Sequence, residues 1–166
     1  MRVFISHYSK DTELAEAYAK DLKNLGFHIY FDIYDPIVNG VADRPAHIKA
    51  EIEISTDLLV IITNNTKDSW WVPFEIGLST SADNRIVSIN HGNQSLPSFI
   101  RKWPVIDTDE QYNIYLKELT KNRDQLLKED VILKSRNFSK IYDSANSARM
   151  RTSDLFHSVL LNKFDQ

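Results

Sequence analysis

The sequence predicts an α/β domain built on a parallel sheet, and three observations predict it. Five short runs rich in β-branched and aromatic residues recur along the chain: Arg2–Ser6, His28–Asp32, Leu58–Thr63, Arg85–Ile89 and Pro104–Asp107. The stretch between successive runs leaves room for a helix each time, the spacing of repeated strand–helix–strand units. The third run is apolar from Leu58 to Ile62 without alternation, as expected of a strand covered on both faces.

The first run, Arg2–Ser6, is followed by the clearest helical period. Leu14, Ala17, Tyr18, Leu22 and Leu25 recur on one face. Ser9 or Asp11 is placed to cap its start, and Gly26 to end it in a left-handed conformation. After the second run, residues 33–46 carry two prolines and a glycine and read as a long loop. Loops of that length are usually functional or mobile. Residues 47–55 form a short amphipathic segment with Ile48, Ile52 and Ile54. A third helix starts near Trp71, with Pro73 in its first turn, where a missing N–H costs nothing. Residues 90–103, with Gly92 and Pro97, read as irregular, and Pro104–Asp107 is the weakest strand. Beyond Thr108 the periodicity is helical. Tyr112, Tyr115, Leu116, Leu119, Leu126 and Leu127 suggest one long helix; Phe138, Ile141, Tyr142 and Ala145 a second; Leu155, Phe156, Val159, Leu160 and Phe164 a last. No linker composition separates residues 120–166, so residues 121–166 are expected to pack as a helical extension on the domain formed by 1–120.

Composition narrows the function classes. With 166 residues, 42% hydrophobic and 26% charged, the chain has the balance of one soluble globular domain. No cysteine is present, which excludes a disulfide framework, a thiolate metal site and a cysteine nucleophile, and fits a cytoplasmic setting. The opening MRVFISHYSKD has too short an apolar run for a secretory core, and no run approaches the roughly 18 residues of a membrane helix. Net charge is −3 but uneven: 11 Lys+Arg against 17 Asp+Glu in residues 1–120, and 9 against 6 in residues 121–166. The basic end lacks a dense block or interleaved aromatics, so it reads as a solvated helical face and no nucleic acid is expected. The histidines, His7, His28, His47, His91 and His157, have no metal-ligand spacing. With four glycines and no Gly-rich phosphate loop, the chain has no fingerprint for holding a dinucleotide as a redox cofactor. A phosphoacceptor of the response-regulator kind needs acidic residues after strands one and three; those places hold Ser6-His7 and Asn64-Asn65.

Four segments, in order and at sensible spacing, carry a resemblance. Val3-Phe4-Ile5-Ser6-His7-Tyr8-Ser9 closely resembles the first sequence box of Toll/interleukin-1 receptor (TIR) domains. Leu25-Gly26-Phe27-His28-Ile29-Tyr30-Phe31-Asp32 is similar to that family's second strand, and Ser55–Thr63 to its third. Trp71-Val72-Pro73-Phe74-Glu75 resembles its tryptophan-x-x-x-glutamate motif. The resemblance covers about residues 1–120 and implies a three-layer, flavodoxin-like five-stranded parallel sheet, here with extra C-terminal helices. It implies one of two activities. Many animal TIR domains are non-catalytic adaptors that associate through surfaces. Many bacterial and plant members cleave NAD+ through the motif glutamate, here Glu75. A short chain with helical additions is similar to the signal-producing TIR proteins of Thoeris anti-phage defence, whose ADP-ribose-type product, cyclic or otherwise modified, is sensed by a separate effector. NAD+ is then a substrate, and no cofactor is required.

The implied chemistry is coherent. Nicotinamide leaves a pyridinium as a neutral molecule, so no general acid is needed. Positive charge builds on the ribose, and one ionised carboxylate can stabilise it. Ordinary glycosidases, by contrast, use two carboxylates. By resemblance His7, Tyr8 and Ser9 line the substrate pocket, with either His7 or Tyr8 stacking on a base. Asp32 either meets a ribose or starts the turn after its strand. Trp71 is expected to pack beneath the site, with Trp70 exposed or at an interface. The 33–46 loop resembles the family's association loop, in which Arg44 either meets a phosphate or is solvated. The plainest alternative for Glu75 is a first-turn glutamate that complements the helix dipole.

Overall fold

The computed structural model describes residues 1–31, 43–135 and 145–165. Five strands, β1 (Arg2–Ser6), β2 (His28–Phe31), β3 (Asp57–Ile62), β4 (Arg85–Asn90) and β5 (Val105–Ile106), form one parallel sheet in the order β2-β1-β3-β4-β5. The helices are α1 (Thr12–Asn24), α2 (Arg44–Glu53), α3 (Trp71–Ser81), α4 (Asp109–Ser135) and α5 (Ala145–Phe164). Every predicted strand is present, within a residue or so of the expected ends. All six residues of β3 are buried, as its unbroken apolar run requires.

The pleat sorts side chains onto two faces with period two. Val3 and Ile5 of β1, Leu59 and Ile61 of β3, and Val87 and Ile89 of β4 pack with α1, α4 and α5. Phe4, Leu58, Val60, Ile62 and Ile86 pack with α2 and α3. The result is three layers. The chain moves from β1 out to β2, then returns to β3 on the other side of β1. The carboxyl ends of β1 and β3 therefore flank the point where strand order reverses, the usual ligand crevice in such sheets.

Local signals set the helix ends. Gly26 takes φ +84°, Phe27 N–H bonds the Leu22 carbonyl at 3.1 Å and Gly26 N–H the Lys23 carbonyl at 2.9 Å, which closes α1 in a Schellman motif. At the start of α1 neither expected cap forms through its side chain. Asp11 holds the N-cap position with no side-chain cap bond, because its carboxylate is used elsewhere. The buried face of α1 is also rotated from expectation: Ala15, Ala19 and Leu22 are buried, Leu14 and Tyr18 partly so, and Ala17 and Leu25 face outward. Small alanines let the helix approach the sheet closely. The short segment after the long loop starts earlier than expected, at Arg44, since Asp43 Oδ1 accepts from Ala46 N–H at 3.1 Å and Pro45 occupies the first turn. Ile54 follows the helix and is exposed, whereas Ile48 and Ile52 are buried.

In α4, Tyr115 and Leu119 are buried, but Leu126 and Leu127 are exposed. In α5, Phe156 and Leu160 enter the core while Leu155 points out. The candidate helix around Phe138, Ile141 and Tyr142 lies outside the described residues; Ala145 opens α5. Helix α4 runs through residue 120 without a break, and α5 packs on the same core as α1 and α4.

β5 is two residues long and leaves part of the β4 edge uncovered. Ser88 N–H finds the Pro104 carbonyl at 3.0 Å. Two residues earlier Ile86 N–H bonds Nε2 of His157 on α5, at 2.9 Å. The imidazole must be neutral at Nε2 to accept that bond. Burial, the largest influence, and Arg85 nearby hold its pKa down at about 4 against the pull of Asp154 and Asp57.

Candidate functional site

The site is built at the carboxyl ends of β1 and β3 and the start of α3. Ser6 ends β1 on the same face as Phe4, the face that α3 covers. Glu75 lies on α3 between Val72 and Ile76, whose side chains anchor the helix to that face. The two meet: Ser6 Oγ donates to Glu75 Oε2 at 2.5 Å, with Ser6 1% and Glu75 3% exposed. Glu75 is the fifth residue of α3, one position beyond the expected first turn. It turns inward to β1 instead of standing in solvent at the helix end, so the dipole reading loses its geometric basis.

The segment after β1 is fastened from below. Asp11 is buried, and its two carboxylate oxygens accept from Thr63 Oγ1 and Asn65 Nδ2, each at 2.7 Å. Both donors follow β3, so the latch ties the β1 and β3 loops across the point of strand reversal. This is why Asp11 does not cap α1. Thr63 Oγ1 in turn accepts from Asn65 N–H at 2.9 Å.

Of the predicted site residues, His7, Tyr8 and Ser9 share this fastened segment. The His7 ring stacks on Phe31 with centroids 4.5 Å apart and an interplanar angle of 6°, and its Nε2 lies 3.5 Å from Thr12 Oγ1. Tyr8 is half-buried with the Lys10 ammonium 5.8 Å from its ring centre. Ser9 is exposed, and its carbonyl accepts from Thr12 Oγ1 at 2.8 Å. Trp71 stands one helical turn before Glu75 on α3. It is half-buried, with Phe74 edge-on at 5.8 Å and the Arg44 guanidinium over its face at 4.4 Å. Arg44 is therefore half-buried on an aromatic ring and not simply solvated. Trp70 is 91% exposed. Asp32 and residues 33–42 lie outside the described residues.

Away from this junction a hollow of about 260 Å³ opens at the ends of β4 and β5 between Tyr18, His91, Asp107 and Tyr112. It falls below the roughly 300 Å³ at which ligand pockets begin, and Asn90 Nδ2 donates to Asp107 at 2.7 Å and to the Gln94 carbonyl at 3.3 Å. The β1–β3 junction is taken as the candidate because it holds the buried Glu75 at the point of strand reversal.

The model of one protein family, the TIR domain, matches residues 3–127. The chain belongs to the TIR domain family. Among solved structures, the TIR domain of a Toll-related receptor from Hydra magnipapillata is similar, with a TM-score of 0.60 over 72% of this chain and 95% of that one, at 17% identity. That similarity concerns the fold. No curated protein matches. The TIR match reaches past residue 120 into α4, so the family pattern includes the first part of the long helix.

Sequence reasoning passed over three parts of the site. Ser6 stood inside the first TIR box without a role, yet period two from Phe4 already aimed it at α3. The Asp11 latch had no local signal, because its partners lie 52 and 54 residues away. The stacking of Arg44 on Trp71 likewise joins segments that only the fold brings together.

Proposed function

We propose that this TIR domain cleaves the nicotinamide–ribose bond of NAD+, with Glu75 as the catalytic carboxylate. The observation that carries the reading is Glu75 itself: a glutamate of the tryptophan-x-x-x-glutamate motif, turned inward at the reversal point of the sheet and hydrogen-bonded to Ser6. An adaptor has no need of a buried glutamate at that place. The carboxylate stabilises the ribosyl cation electrostatically as nicotinamide departs unprotonated. His7 and Tyr8 supply rings at the crevice, and Trp71, backed by Arg44, forms its α3 side. Asp32 is proposed as a ribose contact at the end of β2. The product is an ADP-ribose-type molecule, cyclic in keeping with the Thoeris resemblance, that a separate effector senses in anti-phage defence.

Mass spectrometry of an NAD+ reaction tests the assignment. Wild-type protein is expected to release nicotinamide, and Glu75→Gln to lose at least a hundredfold in rate, the cost of removing one preorganised electrostatic group. Equal rates in the two would remove Glu75 from the mechanism.

One observation favours an association role beside catalysis. TIR domains commonly self-associate, and the start of α3 presents Trp70 at 91% and Phe74 at 39% exposure, adjoining the candidate site. Exposed aromatic residues are typical anchors of protein interfaces. Sedimentation of wild type against Trp70→Ser separates this role from catalysis.

A further inference from the structure

We infer that Ser6 is a positioning residue for Glu75, holding the carboxylate ionised and in one orientation for the departing nicotinamide. The inference rests on the reading of Glu75 as the catalytic group. Its basis is a buried hydroxyl on the strand face beneath α3 and the partner it finds there. On the α2–α3 face of the sheet, β3 presents Leu58, Val60 and Ile62, and β4 presents Ile86 and then the buried Ser88 and Asn90. β1 presents Phe4 and then Ser6, whose register partner is Val60. A hydroxyl at a position 1% exposed costs free energy unless it is hydrogen-bonded. Ser6 meets that cost with its bond to Glu75 Oε2 at 2.5 Å.

The direction of the bond matters. An ionised carboxylate only accepts, so the serine O–H donates, and donation to the charged form favours it. The length lies at the short end for a charge-assisted O–H···O⁻ bond. Ser6 thereby opposes the tendency of burial to neutralise Glu75, and a neutral acid would lend no stabilisation to a ribosyl cation. Engaging Oε2 also fixes the carboxylate plane relative to β1, and the Asp11 latch anchors the segment that follows Ser6. Ser6 acts through Glu75 and does not itself touch the reacting atoms.

The test compares wild type, Ser6→Ala and Ser6→Thr in nicotinamide release across pH, with carboxyl ¹³C NMR titration of Glu75 assigned against Glu75→Gln. Ser6→Ala is expected to lower kcat by about tenfold to a hundredfold, the worth of one hydrogen bond to a charged group. KM should stay within about threefold, and the acid limb of the profile should move to higher pH as the ionised form loses its donor. Ser6→Thr, which keeps the hydroxyl, is expected to recover most of kcat. In the Glu75→Gln background Ser6→Ala should add nothing. Wild-type kcat and an unmoved acid limb in Ser6→Ala overturn the inference while leaving Glu75 catalytic. If wild type does not turn over NAD+, the catalytic reading fails and the titration still decides: the same Glu75 midpoint with and without Ser6 overturns the coupling, a higher midpoint in Ser6→Ala upholds it. Should Ser6→Ala not fold, Ser6→Cys, near in size and a weak donor, serves the same comparison.

Discussion

Two ends of one sheet bury a carboxylate in different ways. At the amino end Asp57 opens β3, 2% exposed, and pairs with Arg85 of β4 at 2.7 Å. Thr56 Oγ1 also donates to it at 2.5 Å. The guanidinium continues to Asn122 of α4 and lies 4.7 Å over the ring of Phe156 on α5. At the carboxyl end Glu75 is met by the hydroxyl of Ser6. An arginine brings a countercharge and locks a carboxylate between elements; a serine hydroxyl brings no charge of its own and orients the oxygen it meets. The first arrangement joins β3, β4, α4 and α5. The second fixes the group on which the proposed cleavage of NAD+ depends.

Substitutions at the two ends should separate these roles. Arg85→Ala is expected to have the largest effect on stability, about 3–5 kcal/mol, because it strands a buried Asp57. At this chain length that lowers Tm by roughly 10 °C or more, measurable by calorimetry. Glu75→Gln, by contrast, keeps an acceptor for Ser6 and should shift stability by no more than about 1 kcal/mol while nicotinamide release collapses. A large Tm loss in Glu75→Gln would place both ends in the same structural class.

His157 offers a pH test of the amino end. Its folded pKa of about 4 lies below its ordinary 6.5. The stability it contributes is therefore complete above pH 6.5 and is lost progressively as pH falls towards 4. The full span is worth about 3 kcal/mol. His157→Gln keeps an acceptor for Ile86 N–H but cannot titrate, so urea midpoints at pH 7.5 and 4.5 should differ less in the variant than in wild type. Equal pH dependence would disconnect His157 from the β4 edge. The smallest effect is expected at the carboxyl-end surface: Trp70→Ser, with 91% of its residue exposed, should leave stability within about 0.5 kcal/mol.

The helices were less legible than the strands, and the reasons are physical. Buried strands announce themselves by composition alone: β3 reads as apolar in sequence and is buried throughout. Helical faces depend on what arrives opposite them. The period through Leu14, Ala17 and Leu25 was real but off-centre, since the sheet accepts the narrow Ala15–Ala19 side. Leu126, Leu127 and Leu155 fit an amphipathic period yet remain exposed.

The sequence by itself determined the parallel α/β class, the five strands, the Gly26 helix end and the TIR family, because each is written in local composition or in an ordered series of short motifs. Only the tertiary structure decided that Asp11 latches two loops instead of capping α1 and that His157 completes a sheet edge. It also decided that Glu75 turns inward to Ser6, 69 residues away in sequence. Such pairings cost chain entropy to close and leave no local trace. They form when the layers pack, and a buried polar group must then find its partner wherever the fold supplies one.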